Sequence, residues 1–183
     1  MPTTRGPTDF TTRLATLQDV AALEAVMDAA ISELQREFLS AEQISSSRAI
    51  MGIDTHLVED GTYFLVEAGQ EIAGCGGWSR RATLYGGNQT PGRDAKLLDP
   101  AHDPARVRAM YTNPVYARRG VGRLILSLCE AAARAEGFER LELMSTLSGE
   151  PLYTAYGFLP IERVADATGG APVFLVRMQK SIE

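Results

Sequence analysis

The chain has 183 residues, 45% of them apolar and 22% charged, which suits one ordinary domain with a sizeable core and excludes a disordered tail or a fibrous repeat. The formal net charge is −5, whereas a nucleic-acid binder carries a basic footprint, so no nucleic-acid partner is expected. No apolar run approaches the roughly 18–20 residues of a membrane helix, and the opening MPTTRGPTDF has no apolar signal core. The expectation is a cytoplasmic protein of one domain, residues 1–183, without membrane contact. Cys75 and Cys129 are too few for a disulfide scaffold or a zinc cage and read as small core residues, so no metal site is expected.

In chain order, Phe10–Thr16 reads as a short first strand. Leu17-Gln18-Asp19 then opens an amphipathic helix carrying Val20, Leu23, Val26, Met27, Ala30, Ile31 and Leu34 at three/four spacing. Ser40 is an N-cap for a second helix with Ile44 and Ile50. Tyr63–Val66 and Glu71–Trp78 are strand-like, with a hairpin turn at Ala68-Gly69-Gln70. Residues 79–104 form a long polar stretch with three prolines, either a functional segment or a disordered excursion. Arg106–Thr112 reads as a strand that Asn113-Pro114 ends. A helix follows from Arg119-Gly120 to Glu136, with Val121, Leu124, Ile125, Leu128, Cys129, Ala132 and Ala135 on one face and Gly137 as its left-handed stop.

Arg140–Ser145 is the next strand, so strand, helix and strand imply a parallel pair joined by a right-handed crossover. Glu150–Tyr156 is a short helix closed by Gly157, and Ile161–Val164 with Val173–Met178 form an antiparallel pair around Gly169-Gly170. The fold class is mixed α/β, with a central, partly antiparallel sheet and helices on both faces.

Charge is unevenly spread along this plan. Residues 101–123 hold five arginines and one acid, Asp103, for a local +4 against −9 elsewhere. Within that stretch Ala117-Arg118-Arg119-Gly120-Val121-Gly122-Arg123 lies where a strand feeds a helix. Two glycines let the backbone approach a ligand, the first-turn N–H groups point outward, and the helix dipole adds about half a positive charge. Those features build a cradle for phosphate or pyrophosphate. A Walker loop is excluded because Arg123-Leu124 follows Gly122, and a dinucleotide fingerprint because Ile125 stands where its third glycine belongs.

This segment resembles the acetyl-CoA loop of the GNAT superfamily of N-acetyltransferases, whose pattern is Gln/Arg-x-x-Gly-x-Gly/Ala; Gly120 and Gly122 match and Ala117 departs. Leu152-Tyr153-Thr154-Ala155-Tyr156-Gly157-Phe158 resembles the family's Phe-Tyr-x-x-x-Gly-Phe. The resemblance spans about Arg106 to Met178 and implies a fold with a splayed parallel strand pair, here 106–112 and 140–145. It implies acetyl-CoA (coenzyme A) as cofactor. Arg118, Arg119, Gly120, Val121, Gly122 and Arg123 would hold the pyrophosphate, and Met110, Tyr111 and Thr112 would line the pantetheine arm, with main-chain groups of Met110 and Thr112 meeting its amides. Thr146 stands where members often have an asparagine touching that arm.

The resemblance also points to Tyr153 as the catalytic acid. A phenol of pKa ~10 stays neutral at pH 7 and can protonate a departing thiolate whose thiol has a pKa of ~8.5. The acceptor is then a primary amine, more in keeping with a small molecule than with a protein. An amine of pKa about 10.4 is neutral in only about one molecule in 2,500 at pH 7, so its proton needs a destination. Many family members carry a glutamate on the strand before the loop, where this chain has Arg108. Arg108 either clamps an anionic part of the acceptor or pairs with a nearby acid such as Glu142. Candidate bases are Glu33, Glu37, Asp54 and His56, although His56 beside Glu59 and Asp60 also reads as solvent-facing; a relay of water and main-chain carbonyls is the alternative. Trp78, Tyr85 and Tyr111 supply either an apolar acceptor wall or core. A non-catalytic acyl-CoA-binding module is the second reading, and exposed Val and Phe on the last strand leave room for a homodimer.

Overall fold

The computed structural model describes residues 9–182. Seven strands form one mixed sheet: β1 Thr11–Leu14, β2 Tyr63–Ala68, β3 Glu71–Ser79, β4 Ala105–Thr112, β5 Arg140–Thr146, β6 Leu159–Asp166 and β7 Val173–Ser181. Their spatial order is β1-β2-β3-β4-β5-β7-β6, and β4 with β5 is the parallel pair. Helix α4, Val121–Ala135, covers one face, packing Val121, Ile125, Leu126, Cys129 and Ala133 against Val107, Leu143, Val176 and Met178. Full burial of such side chains contributes about 1.5–3 kcal/mol each. The opposite face is covered by α1 Val20–Leu34, α2 Ala41–Ser47 and α3 Thr55–Glu59. Helix α5, Glu150–Tyr156, follows β5. Among the described residues no helix is long and apolar enough to cross a membrane.

Local signals place most of these elements. Ser40 accepts a hydrogen bond from the Gln43 amide while the Gln43 side chain accepts one from Ser40 N, a reciprocal cap that starts α2. Gly69, Gly137 and Gly157 all take positive φ at the expected turn and helix ends. Cys75 and Cys129 are fully buried and unbridged, as expected of core residues.

Four expectations change. Helix α3 has only five residues, too short for a periodic pattern to show, and starts at Asp54, whose carboxylate caps the His56 amide. Ile50 lies beyond the end of α2, though buried. Ala135 faces solvent, because α4 turns a face that includes Leu126 and Ala133 toward the sheet. The last strand is not an edge: β7 lies between β5 and β6, which buries Val173 and Val176 and leaves Phe174 exposed. Of the Val and Phe side chains expected to be exposed there, only Phe174 is.

Residues 79–104 fold back on themselves. Ala82 N donates to Lys96 O, Thr83 N to Asp94 O and Leu98 N to Arg80 O. The tip is fastened to the segment between α2 and α3: Gln89 Nε2 donates to the carbonyls of Arg48 and Met51, Thr90 Oγ1 to that of Ala49, and Asn88 N to that of Ile53. These contacts order the stretch, so it is not a disordered excursion.

Candidate active site

The parallel strands pair only at Ala105↔Leu141 and Arg106↔Glu142, although β4 runs on to Thr112 and β5 to Thr146. At the closed end the buried Glu142 carboxylate accepts from Arg106, Arg177 and Gln179 and so ties β4, β5 and β7 together. Beyond it the strands part. Ala109 and Met110 sit opposite the single residue Gly76, and Ala109 takes φ +49, a β-bulge that bends β4 away from its neighbour. A non-glycine residue in this conformation costs about 1–2 kcal/mol.

Side chains hold the bulge in place. The fully buried Tyr63 hydroxyl donates to Ala109 O at 2.7 Å, and the Tyr111 hydroxyl accepts from Gly52 N at 2.8 Å. Asn113 N donates to Ala73 O. Since antiparallel bonding alternates along a strand, the main-chain groups of Met110 and Thr112 turn toward the open gap. Tyr63→Phe should therefore leave the buried Ala109 carbonyl unpaired, costing about 1–3 kcal/mol of stability. Urea denaturation checks the loss, and turnover should fall with it because the gap-facing amides lose their fixed register.

A cavity occupies the gap and passes through the sheet. On the α4 side it is lined by Met110, Leu143 and Tyr153; on the other side by Met51, Tyr85, Arg108 and Tyr111. The Tyr153 ring packs edge-on against Phe158, with centroids 5.9 Å apart. Its hydroxyl has no hydrogen-bond partner among the described residues. Burial pushes its pKa above the ordinary phenol value, which keeps the proton on Oη. Thr146 also lines the cavity, but its hydroxyl accepts from Gly149 N and meets Ser148 Oγ, so it organises the turn into α5.

The cradle lies at the start of α4. Asn113 caps a 3₁₀ turn at Pro114–Tyr116, the chain takes φ +59 at Arg118 and φ +85 at Gly120, and Gly120 is the N-cap of α4. Nothing stands within 4 Å of where a Cβ on Gly120 would lie. Among the described residues the amides of Gly120, Val121, Gly122 and Arg123 donate to no protein acceptor, as the first turn of a helix requires unless a ligand intervenes. The Arg119 guanidinium stacks over Tyr116 at 5.3 Å and that of Arg123 over Tyr156 at 5.5 Å, which holds both charges near the turn. Arg118 is exposed. Gly122 serves packing: a Cβ there would come within 2.5 Å of Leu152 Cδ2, next to Tyr153.

The expected acceptor residues fare differently. Arg108 pairs with an acid, but with Asp54 and not Glu142: Nη2 lies 3.0 Å from Asp54 Oδ2 and 2.7 Å from Gly86 O, 3% exposed. Arg93 approaches the other Asp54 oxygen at 3.0 Å. Asp54, bound by two guanidiniums, is thus removed from the list of candidate bases. Glu33, Glu37 and His56 are solvent-exposed and line no part of the cavity, because the face of α1 that packs inward is its apolar one. Trp78 is core, stacked on Phe138. Tyr85 does line the cavity, its hydroxyl donating to Asp166 at 2.6 Å, and burial pushes its pKa up to about 12. Tyr63, Met51 and Leu84 were not marked by any local sequence pattern; tertiary pairing alone brings them here.

The profile of the acetyltransferase (GNAT) family matches residues 27–158, and the chain belongs to that family. It is accordingly an acetyl-CoA-dependent N-acetyltransferase. No curated protein matches it. Among solved structures, a GCN5-related N-acetyltransferase from Rhodopseudomonas palustris is 18% identical, with a TM-score of 0.69 over 93% of this chain and 94% of that one. The yncA acetyltransferase of Salmonella typhimurium, solved with its cofactor acetyl-CoA, is 15% identical, with a TM-score of 0.62 over 95% and 94%. The ribosomal-protein-S18-alanine N-acetyltransferase of Escherichia coli is 15% identical, with a TM-score of 0.59 over 96% and 95%. At these identities the likeness is one of fold.

Proposed function

We propose that this chain acetylates a primary amine of a small molecule, with Tyr153 as the general acid. The observation that carries the reading is the cavity in the strand gap, lined from both faces of the sheet, with the Tyr153 hydroxyl, unpartnered among the described residues, in its wall. The residues fit coenzyme A: the free amides from Gly120 to Arg123 and the flanking arginines suit a diphosphate, and the gap-facing main chain of Met110 and Thr112 suits the amides of an extended arm. Bound there, acetyl-CoA supplies an activated thioester. Tyr153 Oη would donate its proton to the departing sulfur, and the proton that the attacking nitrogen loses as the amide forms would restore the phenol.

A small acceptor is favoured because the far side of the cavity is closed by pinned segments. Tyr85 reaches Asp166, Ser46 Oγ donates to Ala171 O at 2.6 Å, and Gln43 Nε2 donates to Pro172 O. These contacts fasten the β6–β7 turn to α2. Among the described residues no carboxylate or imidazole lines the cavity, so the amine enters already deprotonated, and the dominant ionisation is the acceptor's own.

The rate kcat/KM should therefore rise with pH until the acceptor's amine is neutral. It should not fall again below pH ~10. The sign follows from Tyr153: burial raises its folded-state pKa, so the acid form persists at every lower pH and is lost only as pH climbs through that raised value. A descending limb between about pH 7 and 9 would identify a different acid. The direct test is a mass-spectrometric screen of amines with acetyl-CoA, coupled to thiol release; turnover of peptides alone, with no small amine acetylated, would overturn the small-molecule reading.

A further inference from the structure

On the acceptor side of the cavity Ile50, Met51, Leu84, Met144 and Leu175 give an apolar wall, interrupted by the uncharged polar side chains of Tyr85 and Thr146 and by one charged residue. Arg108 is the only formally charged residue in the lining among the described residues. Its surroundings do not neutralise it completely. Asp54 is shared between Arg108 and Arg93, so the cluster of two guanidiniums and one carboxylate carries a net +1. Asp166, near the same side, is turned to the Tyr85 hydroxyl and the Thr168 amide and is absent from the cavity lining.

The donors of Arg108 are also only partly spent. Nη2 serves Asp54 and Gly86 O, and Nη1 reaches Thr83 O at a long 3.4 Å. Nε has no hydrogen-bond partner among the described residues. A buried guanidinium held at one edge by a carboxylate and a carbonyl is fixed in orientation, and its remaining N–H groups suit a planar anion. An acceptor whose only charge is an ammonium finds no counter-charge here and meets a net positive cluster.

We infer that the acceptor carries its own carboxylate beside an apolar body, as an aliphatic or aromatic amino acid does, and that Arg108 is the residue that reads it. This rests on the small-amine function proposed above and narrows its substrate class. The carboxylate meets Arg108, the apolar body fills the Met51, Met144 and Leu175 wall, and the amine is left to face the strand gap and Tyr153.

The test uses matched sets on the wild-type protein: each aliphatic and aromatic amino acid, its amide, and its decarboxylated amine, for example L-leucine, L-leucinamide and 3-methylbutylamine. Acetylation is read by mass spectrometry, and binding to the CoA-loaded protein by calorimetry. The expected result is a preference of at least about 30-fold for the acid over both partners in binding and in kcat/KM. That preference opposes intrinsic reactivity, since the amide's amine is the less basic and more often neutral. Arg108→Lys should raise KM for the acid with little change in kcat and shrink the preference; the wild-type comparison stands even if that variant fails to fold. An amine lacking an anionic group that binds and reacts as well as the best acid overturns the inference and leaves the proposed function intact. Preference for the phosphonate analogue over the carboxylate overturns the planar-anion assignment. Tight binding of an amino acid without transfer to it, or to any amine, supports the inference and overturns the proposed function instead.

Discussion

Replacing Tyr153 with phenylalanine should lower kcat by about 10²–10⁴-fold, the usual contribution of a positioned general acid, while leaving the affinity for acetyl-CoA within a few-fold. The ring's place does not depend on its hydroxyl: it is held by the edge-on contact with Phe158 and by the α5 main chain, whose Tyr153 N donates to Gly149 O. Because Oη has no protein partner, its removal leaves no buried group unsatisfied, and the melting temperature should change little. That separation makes the variant informative. A hundredfold loss corresponds to about 2.7 kcal/mol of transition-state stabilisation. Stopped-flow release of thiol, followed with the best amine from the screen, measures it; unchanged turnover would show that the departing sulfur takes its proton elsewhere.

The second large effect is expected at Gly122. Gly122→Glu should abolish measurable coenzyme A binding by calorimetry. Two causes act together. The new carboxylate lies in the first turn of α4, among the amides and arginines that would face a diphosphate, and repels it. The Cβ alone would also come within 2.5 Å of Leu152 Cδ2 and push on α5, which carries Tyr153. Gly122→Ala separates the two: it adds the Cβ without the charge, the end of the Leu152 side chain can turn aside, and cofactor affinity and turnover should stay within a few-fold of the wild type. Equal affinity in the glutamate variant and the wild type would remove this turn from the cofactor site.

Cofactor machinery was legible from sequence because its signals are local. A strand, a Gly-x-Gly turn rich in arginine and an apolar helix lie within some thirty residues, and the Tyr153 motif sits on one short helix whose bounds, Glu150–Tyr156, match the reading. Glycine marked its own turns at 69, 137 and 157. The acceptor side was not legible, since it is assembled from partners far apart in the chain. Arg108 finds Asp54 across 54 positions, and Tyr63 holds Ala109 across 46. Arg106 and Arg108 share one face of β4, and Arg106 takes Glu142 while Arg108, one pleat further along, meets Asp54. The bulge at Ala109, just beyond Arg108, was equally hidden, because a bulge is a mismatch between two strands that neither strand reveals alone. The same reasoning covers Trp78, whose aromatic character suits a binding wall or a core equally well until Phe138 is seen against it.

The placement of β7 has a consequence for how the molecule is made. This strand ends at Ser181, yet it is the inner neighbour of both β5 and β6. Until it arrives, β5 presents a bare edge, and Glu142 lacks its contacts with Arg177 and Gln179. A nascent chain that has not yet added β7 therefore holds a nearly finished cofactor half with an unsealed seam, and closure around the reaction centre waits for that strand.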